Sequence, residues 1–150
     1  MAKATRESDP LVGWQFVLEI NKLPVGYFSE CSGIGSETEI IEHKTLDKNG
    51  VEVIQKIPGR LKWGDVTLKR GITNSLAVYQ WRTLVELGKM KEARLNCTIK
   101  MKDRDYSDAA EWTFDNAWPQ KVSGPDLKAD STDIGIEEMV LVHEGMRRTK

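Results

Sequence analysis

His143 and Glu144 stand side by side near the end of the chain. A histidine beside a carboxylate is common raw material for general acid–base chemistry. Both sit in "IEEMVLVHEG", an alternating run that reads as a strand. Neighbours on a strand project from opposite faces, so these two side chains do not meet at one reacting atom. His-Glu-Gly also lacks the second histidine of HExxH, which removes the zinc-protease motif. His43 lies in a charged strand, where a single histidine reads as a hydrogen-bonding residue. The carboxylates Glu37, Glu39, Glu42, Asp47, Glu52 and Asp65 are spread over strands and turns. Acid–base work needs one carboxylate desolvated near another, and their spacing gives a solvated face instead. Ser32-Gly33-Ile34-Gly35 is glycine-rich but has neither GxGxxG nor GK[ST], and no helix follows it. "GRLKWGDVTLKRG", Gly59 to Gly71, interleaves Lys and Arg with Trp63. It reads either as a stacking surface for nucleic acid or as an amphipathic strand packed on a core, and the charge balance favours the strand. No catalytic residue, metal ligand set or cofactor is expected.

Bulk properties agree. The chain has 150 residues, enough for one domain that buries about 68–70% of its unfolded surface without a metal or a disulfide. Lys and Arg number 22 against 23 Asp and Glu, a net charge of −1. Duplex nucleic acid requires a basic excess, so sequence-specific nucleic-acid binding is not expected. Cys31 and Cys97 lie in apolar strand contexts; a disulfide and a pair of buried thiols are both open, with the thiols favoured. No apolar run reaches the ~20 residues of a membrane span. The first ten residues lack the apolar core of a signal peptide, so synthesis and folding in the cytoplasm are expected.

The elements that position these residues are mostly extended. Residues 1–10 read as a flexible arm and 11–150 as one domain. Trp14, Phe16, Leu18 and Ile20 alternate with polar neighbours, which predicts a strand. Asn21 to Gly26 reads as a turn, and Tyr27 to Cys31 as the returning strand. Glu37–Lys44 and Val51–Ile57 form two arms around Thr45-Leu46-Asp47-Lys48-Asn49-Gly50, with Asn-Gly favouring a positive-φ turn. Pro58-Gly59 interrupts the second arm, and Leu61–Lys69 resumes it. One helix is expected over about 75–87, capped by Asn74 or Ser75 and stopped by Gly88, with Leu76, Tyr79, Leu84 and Leu87 on its buried stripe and Trp81 within it or at its edge.

Leu95, Cys97, Ile99 and Met101 then alternate with Asn96, Thr98, Lys100 and Lys102, and Ala110, Trp112 and Phe114 with Glu111, Thr113 and Asp115. These predict a hairpin with one apolar and one wet face. Ala117-Trp118-Pro119 and Gly124-Pro125 read as a corner between sheets, at which Pro ends the pairing. The last strand, Ile134 to His143, is apolar on both faces, so it is buried on both sides or meets another chain. The fold class is mainly β, an antiparallel sandwich or barrel with one flanking helix.

Five strings occur in order: "GYFSECSGIGSETEIIEH" (Gly26–His43), "KIPGRLKWGDVTLKRGIT" (Lys56–Thr73), "YQWR" (Tyr79–Arg82), "FDNAWPQKVSGPDL" (Phe114–Leu127) and "IEEMVLVHEG" (Ile136–Gly145). Together they resemble the tail-tube protein family of contractile phages and phage-tail-like injection systems, from Leu11 onward. The resemblance implies a non-enzymatic β-sandwich subunit that forms hexameric rings. These stack into a hollow tube inside a sheath, with a baseplate and spike at one end, a tube-terminating protein at the other, and DNA or protein cargo in the lumen. It also implies a component of a virion tail or released particle. Within that frame Arg94, Asn96, Thr98, Lys100, Lys102, Glu111, Thr113 and Asp115 are expected to line the lumen, joined by Glu37 and Glu39. Glu42 has the opposite parity. Thr45 to Gly50 is the expected ring-to-ring contact. A baseplate or tube-initiator paralogue is the alternative within the family; a small β-barrel enzyme or binding module is the alternative outside it.

Overall fold

The computed structural model describes residues 15–126, 129 and 135–150. Trp14, residues 1–10, Leu127 and Ile134 of the sequence reading lie outside the described residues. Ten strands and two helices are described: β1 (Gln15–Ile20), β2 (Leu23–Phe28), β3 (Glu30–Ser32), β4 (Ser36–Leu46), β5 (Glu52–Trp63), β6 (Val66–Gly71), α1 (Ala77–Glu86), α2 (Met90–Ala93), β7 (Leu95–Lys102), β8 (Asp108–Ser123), β9 (Ile136–Val142) and β10 (Gly145–Arg148). All strand pairs are antiparallel.

The long strand β8 organises the domain. Its first half, to Ala117, pairs with β7, and Trp118 onward pairs with β9. One layer therefore runs β2-β1-β7-β8-β10 and the other β8-β9-β6-β3. The corner falls at Ala117–Pro119 as the sequence predicts, but Pro does not end the pairing. Pro119 lies opposite Leu141, and a register shift before Lys121 lets the strand continue to Ser123. Asn116 carries the positive φ (50°) just before the bend. Leu18, Ile99 and Phe114 from one layer meet Leu68, Met139 and Leu141 from the other in a continuous core.

The helix closes this core with a stripe that matches the expected one only in part: Leu84 packs against the core and Trp81 lies within it, but the two end leucines do not. Val78 and Trp81 are buried, whereas Leu76 and Leu87 are 62% and 64% exposed. Trp81 Nε1 donates to the Ala93 carbonyl at 2.6 Å, tying α1 to the short α2, which the sequence reading lacks. Neither Asn74 nor Ser75 caps α1: the N-cap is Leu76, without a side-chain bond, and the Ser75 N–H donates to Thr73 Oγ1. Gly88 does stop the helix. At φ 76° it donates to the Val85 carbonyl while Lys89 N–H reaches Leu84, the paired bonds of a Schellman end.

Three further boundaries move. The first turn is Asn21-Lys22 alone, both in the left-handed region (φ 53° and 64°), so Leu23–Gly26 already belongs to β2. The chain from Tyr27 to Cys31 divides at Ser29, and β3 joins β6 in the other layer. Pro58-Gly59 does not break the second arm, because Pro58 pairs with Ile40 beside a bulge in an otherwise continuous β5. A two-stranded ribbon leaves one backbone edge of each strand open, which is where Pro is tolerated.

Candidate assembly surfaces

The residues that first suggested chemistry stand in separate settings. His143 is held between Trp63 and Phe114, with ring centroids at 5.8 and 4.8 Å. Its Nε2 lies 3.0 Å from the Gly64 carbonyl oxygen and its Nδ1 3.2 Å from that of Gly145. Backbone carbonyl oxygens face both ring nitrogens, an N–H donating to one of them, and the residue fastens the end of β9 to the end of β5. Glu144 instead accepts from Asn116 Nδ2 at 2.7 Å. His43 is exposed on β4. Cys31, half-buried, and Cys97, buried, are free thiols, and burial pushes each up to about 12. Among the described residues no His, Cys, Asp or Glu group is arranged to hold a metal, and no helix is long and apolar enough to cross a membrane. Gly33, the centre of the Ser-Gly-Ile-Gly stretch, has φ 85°, and a Cβ there would lie 2.0 Å from the Asp65 carbonyl oxygen. Its glycine serves a backbone crossing at the root of the β4–β5 ribbon.

The first surface is the wet face of the β2-β1-β7-β8-β10 layer. Register places Glu19 opposite Thr98, Thr98 opposite Thr113, Lys100 opposite Glu111, and Thr113 opposite Arg147. The shift between Met101 and Lys102 skips Ala109 and brings Asp108 onto this face as well. Cations and carboxylates interlock: Lys100 Nζ lies 3.0 Å from Glu19 and 3.6 Å from Asp108, Lys102 bonds Asp108, and Arg147 lies 3.8 Å from Asp115. The Glu19 bond, together with Asp108 and Glu111, raises the Lys100 ammonium above its usual range. The Lys102 bond, reinforced by Lys100, holds the Asp108 carboxyl below its usual range.

Thr98, Lys100, Lys102, Glu111, Thr113 and Asp115 of the expected set are thus gathered on one face. Asn96 sits at an irregularity and accepts from the Asn116 N–H at 3.1 Å. Arg94 precedes the strand as the C-cap of α2, and Glu37 and Glu39 stand on the separate β4–β5 ribbon. The sequence reading lacks Glu19, Asp108 and Arg147. Glu19 was visible in the alternation of β1, but Asp108 reaches the face only through the bulge, and β10 is too short to show a period.

A folded-state pKa below the unfolded 3.8 means that Asp108 contributes stability above that value, which is lost as pH falls through the folded one. Asp108→Asn should therefore flatten the fall in urea midpoint between about pH 5 and 2 and lower the midpoint at neutral pH. An unchanged acid profile in the variant counts against the pairing.

Among the described residues this layer is open at both ends, where β2 pairs only with β1, and β10 only with β8. On the β2 strand Leu23 and Tyr27 are exposed. Unpaired edges of this kind take up further strands unless something covers them.

The second surface is the ribbon formed by β4 and β5. It forms its own sheet, and its side chains are exposed for nearly its whole length. Ile41 and Ile57 lie opposite each other on one face, Ile40 and Leu61 on the other, all exposed. Glu39–Lys62 (2.8 Å) and Lys44–Glu52 (3.8 Å) are its ion pairs. At the tip Asp47 accepts from the Asn49 and Val51 N–H groups, and Gly50 takes φ 76°. Thr45 and Leu46 belong to β4, so the turn itself is shorter than the expected six residues.

No curated protein matches the sequence. Among solved structures, the chain is similar to the tube-terminating cap of the anti-feeding prophage, with 20% identity, a TM-score of 0.76 and coverage of 99% of this chain and 96% of that one. It is similar to a chain of the sheath–tube complex of the extracellular contractile injection system PVC in its extended state, at 21% identity, TM-score 0.75 and coverage of 93% and 91%. A chain from the tail of an empty gene transfer agent particle, with C6 symmetry, shares 8% identity at TM-score 0.58 over 92% and 96%. The family described as T4-like virus tail tube protein gp19 matches residues 12–147, almost all of the sequence read above as one domain, and the chain belongs to that family.

Proposed function

We propose that this chain is a structural subunit of the inner tube of a contractile tail or phage-tail-like injection particle, and that it acts by assembly. The observation that carries this is the β2-β1-β7-β8-β10 layer, which among the described residues ends in an edge strand on each side. Joining β10 of one copy to β2 of the next continues the layer and removes both exposed edges. Six copies close a ring, a number supported by the sixfold symmetry of a structurally similar tail. The wet face then lines the channel with Thr98, Lys100, Lys102, Glu111, Thr113 and Asp115. Its lysines are engaged with Glu19 and Asp108, so a passing cargo meets a wall with few uncompensated charges.

The ribbon, with Thr45, Leu46, Asp47, Lys48, Asn49 and Gly50 at its tip, reaches along the stack to the next ring. Sheath lies outside, and terminator and baseplate close the ends. No covalent chemistry is assigned to the chain.

Electron microscopy of the purified protein, alone and with the particle's baseplate as template, should show rings or rods of uniform width. A strictly monomeric species at high concentration in both conditions overturns the proposal. The likeness to a tube-terminating cap supports a second reading, a terminator of the same fold. Stoichiometry in purified particles separates them: many copies per particle for the main tube, a single ring for a terminator.

A further inference from the structure

The ribbon exposes apolar side chains at its tip, where Leu46 is 69% and Val51 57% accessible, and a cleft opens at its root. The cleft measures about 530 Å³ and is lined by Ile34, Glu37, Lys62, Trp63 and Asp65 among others. Its charges are unevenly matched. Lys62 is taken by Glu39 at 2.8 Å, while Glu37 and Asp65 have no ion pair among the described residues. At the tip Asp47 is turned inward onto the Asn49 and Val51 N–H groups, which leaves Lys48 as the outward charge. Tip and root are therefore complementary in two respects: exposed Leu46 and Val51 against half-buried Ile34 and Trp63, and Lys48 against two carboxylates that have no ion pair among the described residues. They do not meet within one copy, because eleven residues of β4 at 3.2–3.4 Å each put them about 35 Å apart.

We propose that the root cleft receives the ribbon tip of a second copy of this chain, Lys48 between Glu37 and Asp65, with Leu46 and Val51 against Ile34 and Trp63. This rests on the tube reading and deepens it by naming the receptor for the stacking contact. It also fixes a length: successive copies are offset by the ribbon's reach, about 35–40 Å. Both halves of the contact are present on every copy, so it is head-to-tail and open-ended, the symmetry of a stack.

The test is cross-linking of assembled tubes from a Val51→Cys/Ser36→Cys chain with a short bismaleimide. Intrachain closure is ruled out by the separation, and the chain with only its two native thiols, Cys31 half-buried and Cys97 buried, is the control for their background. The expected product is a ladder of covalent multimers, while each single-cysteine chain gives at most a minor dimer. Intact tubes without a ladder overturn the inference and leave the tube reading standing. Absence of rings and tubes from the unmodified chain, with its template present, overturns both.

Charge reversal adds an independent arm. Lys48→Glu should lower tube yield about tenfold or more while rings still form, and adding Glu37→Lys and Asp65→Lys to the same chain should recover it to within about twofold. Yield that stays low in the compensated chain, with rings intact, overturns the contact.

Discussion

Leu141→Asp is expected to yield no folded subunit. Leu141 is 1% exposed, opposite Val66 of β6 on one side and Pro119 of β8 on the other, just past the bend where β8 leaves one layer for the other. Losing the leucine costs about 1.5–3 kcal/mol of apolar burial. The new carboxylate brings a desolvation penalty of several kcal/mol more, with no nearby cation among the residues paired to it. The sum rivals the entire stability of a domain of this size, about 5–15 kcal/mol. Leu141→Ala sets the scale beside it, since it leaves a cavity without a charge and should cost about 2–5 kcal/mol, giving a weakened but folded protein. Soluble yield and urea unfolding distinguish the two. Normal tubes from the aspartate variant contradict this account of the core.

Leu141 also shows why β9 could be read in part. Its run is apolar on both faces, and the sequence alone cannot say which face meets the opposite layer. The structure puts Met139 and Leu141 into the core and leaves Ile136 57% exposed. The hairpin of β7 and β8 was legible because one face is wholly apolar, and a one-residue slip there would expose Cys97 and Ile99 together.

Where the reading failed, local signals competed with tertiary ones. Four apolar residues of helical spacing named Leu76 and Leu87 as core, yet burial of Trp81 and Val78 sets the rotation of α1, and the leucines end up outside. Pro24-Gly26 and Pro58-Gly59 looked like punctuation. Each lies in a strand with an open edge, where a missing N–H costs no ladder bond. The paired charges of the wet face were half legible: alternation put lysines on one wet strand and carboxylates on the other, but the closest partners of Lys100, Glu19 and Asp108, come from another strand and a bulge.

Removing the carboxylate of Glu137 should be the most damaging change to a polar residue. Glu137 sits on the buried face of β9, in the parity of Met139 and Leu141, and accepts from Arg70 Nε at 3.1 Å and from Tyr79 Oη at 3.0 Å. It therefore ties β9 to β6 and to α1. Arg70 is 4% exposed, its guanidinium lies over the Phe28 ring at 5.2 Å, and its Nη2 has no hydrogen-bond partner among the described residues. The cation is thus already under-satisfied, and Glu137 is its ion-pair partner in the core.

Glu137→Ala strands that charge and the Tyr79 hydroxyl together, at a cost of about 3–5 kcal/mol. Removing both charges is a different matter, because no uncompensated ion remains. Arg70→Met/Glu137→Leu should lie well above Glu137→Ala in urea midpoint despite carrying one more substitution. A double variant no more stable than the single one would mean that the pair itself, and not merely the avoidance of a lone buried cation, holds β6, β9 and α1 in place.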